Sequence, residues 1–237
     1  VPKYPAIAAS NLTDGTDISA NTAFNTTSVT MTAAERGVRV TLTDLAKETA
    51  SEDVAAAIGR QIGDAMVNKV DGEIAALFPS FSNRVGAAGD AISAETIFKA
   101  AATLRANNAR GPFYCVVHPY MAFDLKKQLA GAGNTNMTNP PVIGNQVLSN
   151  GVIGQIANIT ILESNNVGKD TNDSTSGTGN YVGLAFSEDA IGYMVKRNIR
   201  VESQRDASLR ADEIIGSMAY NTAEIFDQYG VGILDRK

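Results

Sequence analysis

The side chains best suited to chemistry are few in this chain: one histidine, His118, and one cysteine, Cys115. A hydrolytic triad needs an imidazole to take the proton from its nucleophile, so any triad here runs through His118. Its place, between the apolar run FYCVV and Pro119, reads more simply as a hydrogen-bonded histidine at a strand-to-helix corner. Cys115 and His118 are three residues apart. In an extended strand that spacing puts them on opposite faces and separates a nucleophile from its base. With one His and one Cys, zinc lacks its usual ligands. Asp170 and Asp173 flank Asn172, but no glycine and distal Glu complete a calcium loop. No G-x-x-x-x-G-K-S/T phosphate loop occurs, and no G-x-G-x-x-G follows a strand and opens a helix. The pairs Glu188–Asp189 and Asp212–Glu213 read as solvated surface. The expectation is no catalytic residue, no metal and no cofactor.

One charged run stands out. Lys196, Arg197, Arg200, Glu202, Arg205, Asp206, Arg210, Asp212 and Glu213 alternate in sign. Two readings stand: a solvated face, or an interface whose charges set register between copies of the chain. With Glu35 and Arg36 from an expected hairpin tip, the candidate interface residues are Glu35, Arg36, Arg197, Arg200, Glu202, Arg205, Asp206 and Arg210.

The elements that position these charges have their own signals. Val54, Ile58, Ile62, Met66, Val70, Ile74 and Phe78 recur at a spacing of four, with no proline between Glu52 and Leu77. This predicts one long helix over 51–78, capped from Thr49 or Ser51 and ended by Pro79. A spacing of four overshoots a turn by about 40° in an ideal helix, so the stripe winds around it. Such a helix meets different partners along its length, as a spine between modules does; a helix bent near Gly72 in a globular enzyme is the plainer alternative. Residues 28–32 and 36–42 alternate apolar with polar, which predicts a hairpin turning at Ala33–Gly37. A two-stranded hairpin is marginal alone and must lie on something. Ser93 caps an expected helix over 94–106. The apolar run 113–117 predicts a central strand, followed by a helix over 120–130. Further strands are expected at 142–148, 156–162, 181–186, 193–195, 199–202, 214–220 and 230–234, with a short helix near 187–191. A polar loop is expected over 164–180 and an extended arm over 1–27.

Composition narrows the function classes. The chain has 237 residues, a net charge of −5, 6% aromatics and no Trp. The negative balance argues against a general nucleic-acid binder. No apolar run approaches the ~18 residues of a membrane span. Small side chains bury little area each, so the chain gains less from its own core and has reason to bury surface on neighbours. The sequence begins at Val1 and not Met, so the expectation is a start that has been removed or is not included, with any propeptide or targeting segment out of view.

The order of parts resembles the major capsid proteins of tailed bacteriophages, the Hong Kong 97 fold. The stretches VVHPYMAFDLKKQL (116–129), VIGQIANITILESNNV (152–167) and RADEIIGSMAYNTAEIFDQYGVGIL (210–234) look like that family's strand-corner-helix, glycine turn into a strand, and terminal strands. The resemblance implies an α+β fold. Its parts would be an arm (1–27), an extended hairpin loop (28–48), a peripheral domain (49–110), an axial domain (111–194) and return strands of the peripheral domain (195–237). It implies a structural protein that assembles with itself as hexamers and pentamers into an icosahedral shell. That shell would enclose double-stranded DNA without gripping it, as a virion capsid assembled in the host cytoplasm. Scaffolding, portal and decoration proteins are the implied partners, and no membrane. Some relatives cross-link through a Lys on the extended loop; the expected tip here, Ala33 to Gly37, has none. A cargo-filled encapsulin-like compartment shares the fold, and a hydrolase centred on His118 or a tail-associated module are the alternatives of other classes.

Overall fold

The computed structural model describes residues 1–4, 7, 9, 11, 14–15, 25–49, 53–87, 90–129, 153–170 and 180–235. The strands are β1 (Pro2–Lys3), β2 (Thr27–Ser28), β3 (Ala34–Thr43), β4 (Arg84–Val85), β5 (Phe113–Val117), β6 (Gln155–Ile156), β7 (Ile159–Glu163), β8 (Lys169–Asp170), β9 (Asn180–Ser187), β10 (Ile191–Asp206), β11 (Ala211–Glu224) and β12 (Gly230–Asp235). The helices are α1 (Asp44–Thr49), α2 (Val54–Ala75), α3 (Ala94–Ala106) and α4 (Pro119–Leu129).

Helix α2 is the expected spine, 22 residues long and unbroken through Gly72. It starts later than the cap signals at Thr49 and Ser51 suggest. Asp53 is the cap, and its carboxylate accepts from the N–H groups of Ala55 and Ala56 at 3.1 and 3.2 Å. It ends before Pro79, which sits in a short 3-10 turn, Phe78–Ser80. The stripe spaced by four does wind onto two partners. Ile62 packs where Gly216 of β11 has no side chain, and Met66 clusters with Met218 and Tyr220. Farther along, Ile74, Ala75 and Phe78 pack with Phe81, Val182, Leu184 and Leu234.

The first partner is a three-stranded antiparallel sheet in the order β10-β11-β3. Here the structure differs from the expected hairpin of 28–42. Thr27–Ser28 pairs with Pro2–Lys3, and Ala34–Thr43 forms one strand paired along β11. The physical reason is area: Val38, Val40 and Leu42 alternate onto the face that α2 covers, whereas a free hairpin would bury them on nothing. Strands expected at 193–195 and 199–202 are one strand of 16 residues, irregular in register between Val195 and Arg200. The segment expected to be helical near 187–191 is a turn that carries β9 into β10, with Ala190 donating to Ser187 at 2.9 Å.

The second sheet has the order β4-β12-β9-β5-β7-β6, with β8 also on β9. Strand β5 lies inside it, parallel to β7 and antiparallel to β9, as its unbroken apolar run requires. Helices α3 and α4 cover it, and Ile97, Leu104, Met121 and Leu125 are 0% exposed in its core. Helix α3 packs on β12 and β9 of this sheet, and β12 pairs with β9 within it. The expected strand 156–162 is split by Ala157–Asn158, both at positive φ, the conformation of a tight two-residue hairpin turn. Within the segment expected as a polar loop, Val167 is buried and Lys169–Asp170 pairs with β9. The expected strand 142–148 lies outside the described residues, as does most of the arm.

Candidate assembly surface

Strand β10 is the edge of the three-stranded sheet, and every residue from Val195 to Arg205 is exposed. Its register places Val195 opposite Tyr220 and Val201 opposite Gly216. Directly paired residues share a face. These side chains therefore look to the side on which α2 lies, beyond the strands that α2 covers. Tyr193, Val195, Ile199 and Val201 are 46%, 38%, 45% and 53% exposed, an apolar shelf beside the spine. An exposed strand edge of this length is a template for pairing with another chain unless charges manage it.

The eight candidate interface residues all lie on this sheet or the turn at its end. Glu35 and Arg36 are on β3, not at a hairpin tip. Arg197, on β10, reaches across to Glu35. Arg36 donates to both carboxylate oxygens of Glu73 on α2, at 2.9 and 3.2 Å, and lies 5.3 Å from the Tyr220 ring. Lys69 joins Glu73 at 3.4 Å. The Arg36 guanidinium holds the Glu73 carboxyl below its usual range, and burial pushes the Tyr220 hydroxyl up to about 12. Arg200 pairs with Glu202 at 2.5 Å on the same strand.

At the far end of the sheet, Arg205 clasps Asp44 of α1 with two bonds of 2.6 Å and reaches Asp212 at 3.3 Å. Lys47 closes the other side of Asp212. The Arg205 clasp lowers the Asp44 carboxyl below its ordinary value, and Lys47 and then Arg205 do the same for Asp212. Asp206 accepts from Ser208 and Leu209 and shapes the turn between β10 and β11. Arg210 leaves that turn at φ 49°, and its carbonyl accepts the Asp44 N–H at 3.0 Å. Leu45 and Leu209 stay 70% and 57% exposed at this tip. The structure thus brings the predicted charges together within one chain, across strands and onto α1 and α2. Sequence reasoning missed Asp44, Lys47 and Glu73 as partners, because nothing local marks a contact spanning 161, 165 or 37 positions. It also missed the apolar shelf, although the alternation of Tyr193 with Val195 and of Ile199 with Val201 was its signal.

The residues of possible catalysis are placed elsewhere. Cys115 is fully buried in β5, and burial pushes its thiol up to about 12, away from reactivity. His118 is 7% exposed and stacked on Tyr181. Among the described residues no group of His, Cys, Asp and Glu is arranged to hold a metal, and no helix is long and apolar enough to cross a membrane. Asp173 lies outside the described residues.

A family model for phage capsid proteins matches residues 25–231, which spans both sheets and the spine. The chain belongs to the phage capsid protein family. A search of curated protein sequences finds no match. Among solved structures, this capsid protein is similar to the capsid of the cyanophage P-SCSP1u, with a TM-score of 0.77 at 19% identity over 98% of this chain and 81% of that one. Mycobacterium phage Che8 gives 0.74 at 21% identity, over 98% and 82%. The acid-stable capsid of Helicobacter pylori bacteriophage KHP30 gives 0.72 at 14%, over 99% and 83%. At these identities the likeness is one of fold. The fold is α+β, consistent with the Hong Kong 97 type, and the capsid protein is a structural protein of a phage virion.

Proposed function

We propose that this capsid protein assembles with itself, as hexamers and pentamers, into an icosahedral shell that encloses the double-stranded DNA of a tailed phage. The observation that supports it best is the apolar shelf of Tyr193, Val195, Ile199 and Val201 along an open sheet edge. Burying such a row on a second copy removes it from water and closes the edge. In this reading the three-stranded sheet and α2 form the peripheral part, and the seven-stranded sheet with α3 and α4 the axial part. The ion pairs of Arg197, Arg205 and Arg36 stiffen the sheet within the chain. Arg200, Glu202 and Arg210 are the charges left outermost for setting register between copies. The negative net charge of −5 suits an inner wall that tolerates DNA without gripping it.

Electron microscopy and sedimentation of the purified chain test the reading. Rings or shells are expected, and Val201→Glu is expected to block them without changing thermal unfolding of the unassembled chain. A chain that stays monomeric across salt and crowding conditions overturns it. Particles isolated with nucleic acid inside support the genome shell, and particles packed with protein cargo overturn that part of the proposal.

A further inference from the structure

His118 stands where three elements meet. It precedes Pro119, the first residue of α4, and its Nδ1 accepts the Tyr120 backbone N–H at 3.3 Å. That N–H is one of those a helix leaves unpaired at its start, so the imidazole caps α4 as an Asn or Asp side chain does elsewhere. The ring lies almost flat on Tyr181 of β9, centroids 4.0 Å apart and planes at 14°. Tyr120 stacks on it at 5.2 Å and 30°. Lys169 of β8 sits 5.0 Å from the Tyr181 ring centre, and the Asn165 side chain hydrogen-bonds to His118. One imidazole thus ties the start of α4 to β9 and to the segment that carries Asn165 and Lys169.

We propose that His118 is an acid-sensitive latch, which in its neutral form caps α4 beside β9, and which releases the start of α4 when Nδ1 takes a proton. The chemistry is a loss of an acceptor. The Nδ1 lone pair that receives the Tyr120 N–H becomes an N–H itself, and two donors then face each other. The new charge sits at the positive end of the α4 dipole. The groups facing the ring are Tyr120 from α4, Tyr181 from β9, Lys169 from β8 and Asn165 before it; among the described residues, the charge acting on it is that of Lys169, of the same sign. The two tyrosine faces and the Asn165 bond favour the cation and partly offset this. Burial is the larger influence, and it lowers the imidazole below its ordinary 6.5, with Lys169 acting the same way. A group of this kind lends stability above pH 6.5, and that stability drains away as pH falls from 6.5 toward the lowered value of the folded chain. The latch rests on contacts within one chain and stands or falls apart from the shell reading.

Because the chain has one histidine, its imidazole resonances report this site alone. The full chain is titrated by NMR from pH 7.5 to 4.5, and hydrogen exchange, corrected for the intrinsic chemical rate, is followed in peptides covering 118–129 and 163–170. Titration below 6.5 is expected, together with a loss of protection in the 118–129 peptide of up to about tenfold per pH unit in that window, while the 163–170 peptide, held to β9 by backbone pairing, changes less. His118→Asn keeps a capping acceptor that does not protonate, and its protection is expected to stay flat. A wild-type imidazole that titrates at or above 6.5 overturns the latch. So does wild-type protection of 118–129 that does not change with pH, or an H118N chain that loosens there in step with the wild type. If H118N does not fold, the wild-type titration and exchange decide alone.

Discussion

Gly216 shows how one missing side chain shapes a contact. A Cβ there would lie 2.4 Å from Cγ2 of Ile62, which is itself 2% exposed and has no room to retreat. Gly216→Ala is expected to destabilise the chain by about 1–3 kcal/mol, read from the midpoint of urea unfolding. Arg205 shows the opposite case, a contact whose loss spreads little because water surrounds it. Asp44 and Asp212 ionise more readily in the folded chain than their ordinary 3.8. Depressed carboxyls lend stability above that value and lose it as pH falls through their lower folded values. The tip formed by α1 and the β10–β11 turn is therefore expected to stay clasped at pH 5 and to open below about 3.8. Amide exchange in peptides covering 44–49 measures this, and Arg205→Ala is expected to open them already at pH 7 with little change in global unfolding.

Helix α2 owes its position to the winding of its apolar stripe and its start to one carboxylate. Removing the cap with Asp53→Ala is expected to cost about 1 kcal/mol, with fraying confined to the first turn. Ile62→Ala removes a side chain buried between helix and sheet and is expected to cost about 2–5 kcal/mol. Circular dichroism during urea unfolding separates the two, since the first loses helix locally and the second lowers the main transition. Strand β3 belongs to the same argument. Its alternation of Val38, Val40 and Leu42 announces a half-buried strand, but its partner is β11, more than 160 residues farther on, and not its neighbour in sequence.

At the scale of the whole molecule, β10 lies exposed at a sheet edge among the described residues, and the family the chain belongs to builds phage virions. An open edge with an apolar row is costly for a solitary chain and useful for one that meets copies of itself. Val201→Glu, placed on that row, is expected to abolish assembly in electron micrographs while the isolated chain melts at an unchanged temperature. Raising salt is expected to alter the rate of assembly more than its endpoint, because the row is apolar and the charges that steer encounter are screened.

Much of the chain declares itself locally. The helix over 94–106 and the strand over 113–117 are bounded by Ser93, Asn107, Gly111, Pro112 and His118, and they form where their periodicity puts them. Capping, turn geometry and apolar spacing act over a few residues, so one chain segment suffices to read them, and they reach as far as a spine that touches two modules. Pairing partners are another matter. Whether 34–43 turns back on 28–32 or lies along 211–220 depends on which choice buries more apolar surface under α2. That comparison exists once the helix and both sheets are in place. The same holds for the charged run: its alternation is visible in one dimension, but which charges pair within the chain and which face outward is set by distances that folding creates.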